Sequence, residues 1–219
     1  MGQYYMPTLI SENGEISCLY SHDYNNGLKL MEHSYIGNDF VNAVFTQIWH
    51  NPQRVAWIGD YSDTRYGDPW ESIVPENFMD YYSAVWSDND PRIKPKAKKL
   101  VSMKNTRRFL VNHDKKEYVA IAEYVEQNKW HVEGDYRQYA DKKRTKIKTV
   151  HYSYDMCINP LPLLTACGND RGGGDYRSNH PDFEMVGTWA FDRIELTGKD
   201  PQKHLKGYEK VNFHFAERE

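Results

Sequence analysis

Apolar and polar positions alternate with period two over many short runs, and with helical period over only two. Tyr4-Tyr5-Met6-Pro7-Thr8-Leu9-Ile10 and Ile16-Ser17-Cys18-Leu19-Tyr20 read as two strands joined through Asn13-Gly14, a dipeptide that accepts the positive φ of a tight hairpin. Pro7 brings no N–H to a ladder, so the first strand is expected at a sheet edge. Val41, Val44, Phe45 and Ile48 follow Asn38-Asp39 at i, i+3, i+4 and i+7, which predicts a capped helix stopped by Asn51-Pro52. Arg54 to Asp60 is a short buried strand ending in a polar turn. Pro75 opens a second helix with Phe78, Tyr82 and Val85 on one face, ending before Asp90-Pro91. Arg108 to Asn112 and Tyr118 to Tyr124 make a second hairpin across His113-Asp114-Lys115-Lys116. Thr149–Met156, Val186–Leu196 and Val211–Phe215 complete the strands.

Strand runs dominate and regular β-α-β alternation is missing. The expected fold is therefore α+β, a mainly antiparallel sheet with a few packed helices, in one domain over residues 1–219. An exposed basic connection, broken by Pro91 and Pro95, is expected at about residues 91–107.

Composition sharpens this picture in two ways. Hydrophobic residues make up 39%, and the aliphatic deficit is met by 17 Tyr, 6 Trp and 8 Phe. Aromatic rings bury large areas, and Tyr and Trp add a polar tip suited to gripping a ligand. A mean hydropathy of -0.84 and the lack of a long apolar run exclude a membrane-spanning helix. The start, Met1-Gly2-Gln3-Tyr4-Tyr5-Met6, resembles no signal peptide. Cys18, Cys157 and Cys167 form no C-x-x-C pair, so free thiols in a reducing cytoplasm are expected.

Net charge is -3, but eight Lys or Arg lie between Arg92 and Arg108, and five more between Lys142 and Lys148. With no aromatics interleaved in the first run, a solvated connection is the preferred reading over a nucleic-acid surface.

Candidate chemistry centres on Asp170-Arg171-Gly172-Gly173-Gly174-Asp175-Tyr176-Arg177. Three glycines in a row are costly to order, and a folded domain keeps them where backbone must turn sharply or approach closely. Flanked by Arg171 and Arg177, such a loop can aim N–H groups and guanidinium forks at phosphate or carboxylate, with Asp175 and Tyr176 beside it. The same residues equally suit a solvated surface loop. Trp57, Asp60 and Tyr61 place two rings and an acid at a strand end, and Trp189 with Asp192 repeats the combination. Trp57, Tyr61 or Trp189 could stack a base; a core Trp and a turn Asp are the plainer alternative. Glu32 and His33, with Asp60, are the acid–base candidates should the protein be an enzyme.

Sharper chemistries are excluded by spacing. There is no G-x-S-x-G, no H-E-x-x-H, no zinc-site spacing and no phosphate-loop or dinucleotide motif. His131-Val132-Glu133 matches half of a deaminase signature whose P-C-x-x-C half is missing. No metal or cofactor is expected.

Gly2-Gln3-Tyr4-Tyr5, Lys29-Leu30-Met31-Glu32-His33-Ser34-Tyr35-Ile36-Gly37-Asn38, Arg54 to Tyr61 and Pro160 to Tyr176 together resemble a protein family of bacteriophages and Firmicutes that carries no assigned activity. The resemblance covers nearly the whole chain and transfers no catalytic residue. It implies a phage-type protein, in the host cytoplasm if phage-encoded, that acts by binding, for example by sequestering a nucleotide signal of host defence. The expected ligand is a small nucleotide-like molecule. A nucleotide-directed hydrolase or transferase and an inhibitor of a host protein are the alternatives, and a second copy of the chain stays open as a partner.

Overall fold

The computed structural model describes residues 2–62, 75–87, 91–104, 107–140, 144–168, 176–177 and 179–216. Strands β1 (Tyr5–Ile10), β2 (Ile16–Cys18), β3 (Gln53–Gly59), β4 (Phe109–Asn112), β5 (Glu117–Ala120), β8 (Ala166–Cys167), β9 (Arg193–Thr197) and β10 (Glu209–Lys210) form one sheet in the order β10-β5-β4-β9-β3-β1-β2. Strand β3 is its axis. One edge pairs antiparallel with β1, and the other is shared by β9 at Gln53–Arg54 and by β8 at Trp57–Ile58. Most pairs are antiparallel, so the fold is α+β; β3 with β8 and β5 with β10 run parallel.

Alternation along the strands builds a core on each face. Tyr5, Leu9, Val55, Trp57, Leu110, Val119, Ile194 and Leu196 enter the larger one, beneath helices α1 (Leu30–His33), α2 (Asp39–Gln47), α4 (Ile121–Asn128) and α5 (Pro160–Leu164). Met6, Ile10, Ala56, Ile58 and Cys167 point the other way, onto Phe78 and Val85 of α3 (Phe78–Val85). Helix α2 starts where the Asn38 side chain accepts from the N–H groups of Phe40 and Val41, at 2.9 and 3.4 Å. Six consecutive residues, Phe40 to Phe45, are buried because a second layer covers the helix. That layer is the basic connection: Asn42 accepts from Val101 N–H and Thr46 from Lys98 N–H. The connection's Lys94, Lys96, Lys98, Lys99 and Lys104 and its Arg92 are exposed, with Arg92 over the Tyr20 ring and Lys94 paired to Asp23, whereas Ile93, Ala97, Leu100 and Met103 between them are partly buried against the core and Val101 is part of it.

Four expectations need correction. Strand β1 is interior, not an edge. Leu19 N–H donates to Pro7 C=O, so the Pro7 nitrogen also faces β2, beyond the last pair, Thr8 with Cys18, where the ladder ends and no donor is required. The run from Tyr118 to Tyr124 is a strand only to Ala120; Ile121, Tyr124, Val125 and Asn128 then follow helical period and bury one face of α4. Val186 to Asp192 is turned backbone, with Gly187 and Phe191 at positive φ, and β9 begins at Arg193. Val211 to Phe215 is not a strand but packs Phe213 and Phe215 against Tyr124 and Tyr176.

Strands β6 (Trp130–Tyr139) and β7 (Ile147–Met156) pair only with each other over ten positions, as a two-stranded ribbon separate from the main sheet. Helix α6 (Pro201–His204) is a single turn capped by Asp200. No described helix is long and apolar enough to cross a membrane.

Candidate functional site

Most of the aromatic and acid–base candidates serve the core. His33 is fully buried on α1, edge-on to Phe40. Its Nε2 lies 3.1 Å from Trp57 Nε1, and its Nδ1 lies 3.1 Å from Gly27 C=O. An indole N–H can only donate, so Nε2 accepts, and Nδ1 must carry the proton that Gly27 receives. Burial drives the imidazole pKa from 6.5 down to about 4, against the opposing effects of Gly27 and Glu32. His33 is thus a neutral connector between α1 and β3 with both nitrogens engaged, which overturns it as an acid–base group. Glu32 accepts from Lys29 N–H at the start of α1.

Trp57 and Trp189 have no exposed surface, so neither presents a face to a base; Trp189 Nε1 donates to Glu117 at 2.8 Å. Asp60 accepts from Tyr4 N–H, and its carbonyl accepts from the Tyr82 hydroxyl of α3, whereas His33 lies in the core layer on the other face of the sheet. Tyr61, next in the chain, is partly exposed. Tyr176 is buried, donating to Pro181 C=O at 2.6 Å and stacking on His180, while Arg177 is exposed. Arg171, Gly172, Gly173, Gly174 and Asp175 lie outside the described residues.

The structure instead gathers polar groups where β3 and β9 begin. Arg54 and Arg193 are cross-strand partners on the face that α3 covers in part. Asp114, in the β4–β5 turn, binds both. Its Oδ2 accepts from Arg54 Nη1 at 3.0 Å and from Arg193 N–H at 3.0 Å, and its Oδ1 accepts from Arg193 Nε at 2.7 Å. Asn112 places that turn, since its buried side-chain oxygen accepts from Asp114 and Lys115 N–H while its amide donates to Asp192 at 2.7 Å. Burial alone would raise the Asp114 pKa; the bonds and charge of Arg193, with the charge of Arg54, outweigh it and hold the carboxyl below its ordinary range. Asp192 goes the opposite way, raised by burial despite the Asn112 bond.

Arg54, Asp114 and Arg193 line a cavity of about 430 Å³ with Ile10, Ser11, Glu12 and Gly14 of the first hairpin and Tyr81 of α3. Tyr81 stacks one face on Phe191 and accepts from Asn77 through its hydroxyl. Asp114 takes one N–H of each guanidinium, and Phe191 C=O takes another from Arg54. The remaining guanidinium N–H groups make no bond among the described residues.

One step along β9, Glu195 accepts from His113 Nε2 at 2.9 Å and lies 3.4 Å from His50 Nδ1, while His113 Nδ1 is 3.0 Å from the Tyr208 hydroxyl. Burial would raise the Glu195 pKa, but the two imidazoles lower it further. Among the described residues no cluster of three or more His, Cys, Asp or Glu is arranged to hold a metal ion. Sequence reasoning passed over Arg54 and Arg193. The available signal was an arginine in period two with Ala56 and Ile58, at the start of a strand that is apolar on both faces from Val55 to Ile58. Compared with protein-family models, curated proteins and solved structures, the chain matches none of them.

Proposed function

We propose that the protein binds a small anionic ligand of the nucleotide class in the cavity between the first hairpin, α3 and the start of β9. The observation that carries this reading is the Arg54–Arg193 pair, two adjacent guanidiniums with N–H groups to spare on the wall of a ligand-sized space. Cavities of roughly 300–1,000 Å³ suit small molecules and cofactors, and bidentate guanidinium contacts suit phosphate and carboxylate. Asp114 and Glu12 balance the two arginines, so the cavity selects by geometry more than by bulk charge. Their oxygens suit ribose hydroxyls, which donate to carboxylates. Tyr81 offers the aromatic wall. Sequestration of a nucleotide signal of host defence is the use suggested by the family resemblance.

The test is to incubate the protein with a panel of mono-, cyclic and dinucleotides, remove free ligand, denature, and identify what is released by mass spectrometry. The expected result is an unaltered nucleotide from the natural protein and its loss from Arg54→Met and Arg193→Met. No nucleotide released from the natural protein rejects the ligand class; equal release from both variants rejects the site.

A second reading, a nucleotide-directed hydrolase or transferase, is favoured by the Tyr208–His113–Glu195 chain. A neutral His113 with its proton on Nε2 accepts from the Tyr208 hydroxyl while Glu195 fixes the ring. Converted nucleotide from the natural protein, and none from His113→Gln, would support it.

A further inference from the structure

Strands β6 and β7 face each other over ten positions without a bulge, and the sequence from Trp130 to Met156 contains no proline. Their outer edges make no backbone hydrogen bond to the rest of the described chain. Such an edge is a row of free N–H and C=O groups, which native sheets block with proline, bulges, charge or cover. A two-stranded hairpin is also marginal in water, where three or more strands are needed for independent stability. Four of the six large hydrophobic side chains exposed among the described residues are on this ribbon: Tyr136, Tyr139, Ile147 and Tyr154.

The two faces of the ribbon differ. Val132, Tyr136, Val150, Tyr152 and Tyr154 share one, and the other carries charge pairs, His131 with Asp155 at 2.9 Å and His151 with Asp135 at 3.0 Å. Tyr152 leans over Gly134 of β6, where an added Cβ would come within 2.6 Å of its hydroxyl, and so away from the open β7 edge. A two-fold axis perpendicular to a sheet sets like faces on the same side, so two copies of one strand meet only in alignments two residues apart. On the β6 edge both alignments of fullest overlap oppose carboxylates: one sets Asp135 against itself, the other Glu133 against Asp135. On the β7 edge, centring on His151 opposes two imidazoles. Centring on Tyr152 sets Val150 against Tyr154, His151 against Ser153 and Thr149 against Asp155, with no like charges facing each other from Lys148 to Met156.

From the open edge and its one complementary register we infer that β7 is the docking surface for a second copy of this chain, the two ribbons joining into a four-stranded antiparallel sheet, β6-β7-β7-β6, about an axis at Tyr152. The contact is isologous and closes at two copies, whereas β6 of one chain against β7 of the next would add copies without end. Pairing along β7 satisfies its free backbone groups and takes the ribbon past the three strands that stability needs. Val150 of each copy meets Tyr154 of the other, a β-branched and aromatic pair made twice, once on either side of the axis. Glu133 and Asp135 remain on the outer strands, where charge opposes further pairing. The inference does not rest on the cavity between β3 and β9, which lies on the main sheet.

The experiment is light scattering of the full chain on a sizing column over a range of concentrations, with cysteine cross-linking to read the register. The expected mass is twice the 25.8 kDa of one chain. Facing residues of an antiparallel pair have Cα atoms about 4.5–5.5 Å apart, within the roughly 4.4–6.8 Å that a disulfide spans. Tyr152→Cys therefore links two chains on mild oxidation. Val150→Cys, on the same face, does not, because its two copies stand about 13 Å apart along the strands. The native Cys18, Cys157 and Cys167 are buried and leave the background low. Thr149→Asp keeps the ribbon, since Thr149 faces Arg137 within its own chain, but sets a carboxylate against Asp155 of the second copy at both ends of the seam. Its dimer dissociates about tenfold more readily, while thermal unfolding shows the domain intact. A chain that stays monomeric at every concentration overturns the proposal. So does a dimer that Tyr152→Cys fails to link, one that Val150→Cys links as fast, or one that Thr149→Asp leaves as tight as before.

Discussion

Replacing His33 by Leu gives a signed, quantitative test of how the α1–β3 junction is held. Leucine fills much of the imidazole's space but removes both of its hydrogen bonds, leaving the fully buried Trp57 Nε1 and the partly buried Gly27 C=O without their partner. A buried polar group deprived of its partner costs about 1–3 kcal/mol, so the variant should lose about 2–5 kcal/mol near neutral pH. Total stability of a domain is about 5–15 kcal/mol, so this is a large fraction.

Acid changes the comparison in a predictable direction. The folded-state pKa of His33 is depressed, from 6.5 to about 4. Between those values the unfolded chain binds a proton that the folded one refuses, so stability is full above about 6.5 and falls as pH drops toward 4. The displacement corresponds to about 3 kcal/mol. The leucine variant lacks that loss, so the gap between the two proteins should narrow by about 3 kcal/mol from pH 7 to pH 4. Urea unfolding across that range, with the m-value checked for constancy, measures the gap directly. A gap that stays constant with pH would refute the depressed pKa. No gap at pH 7 would refute the two hydrogen bonds as stabilising contacts.

Two further predictions concern buried groups. Cys18, Cys157 and Cys167 are free and buried, and burial raises the Cys157 pKa to about 12, so a thiol reagent at mildly alkaline pH should label the folded protein slowly and all three cysteines after unfolding; labelling of folded Cys157 at the rate of a free thiol would contradict this. Gly168→Ala should lower stability by about 1–3 kcal/mol in thermal or urea unfolding, because its Cβ would press on the Tyr5 hydroxyl and approach Gln3 Oε1 at 2.9 Å. Adding Tyr5→Phe should recover part of the loss, and a double variant no better than the single would reject the contact.

The elements written in local signals were legible. Asn13-Gly14 forecast the first hairpin, and Asn38 with Val41, Val44 and Phe45 forecast α2, because a turn dipeptide and a cap act within a few residues. Pro7 misled because edge or interior depends on where β2 stops, which is a property of another strand. Residues 118–121 misled because a buried strand and the first turn of a buried helix are equally apolar until the period changes at Ala120. Strand β6 went unread although Trp130, Val132 and Tyr136 alternate with His131, Glu133, Asp135 and Arg137; a ribbon with no core face has no apolar run to announce it. The candidate site was the least legible. Arg54, Asp114 and Arg193 are separated by 60 and 79 residues and converge only through strand pairing. Trp57 and His33 looked like ligand groups because a buried polar pair and a binding pair use the same side chains; burial tells them apart.

The central claim is that Arg54 and Arg193 hold an anionic ligand. Isothermal titration of the tightest-binding nucleotide of the panel into the natural protein and into Arg193→Met tests it most directly. Charge-assisted hydrogen bonds contribute about 1.5–3 kcal/mol each, so the variant should bind about 10- to 100-fold more weakly while unfolding as a cooperative domain. Equal affinity in the two proteins would place the ligand elsewhere and contradict the account.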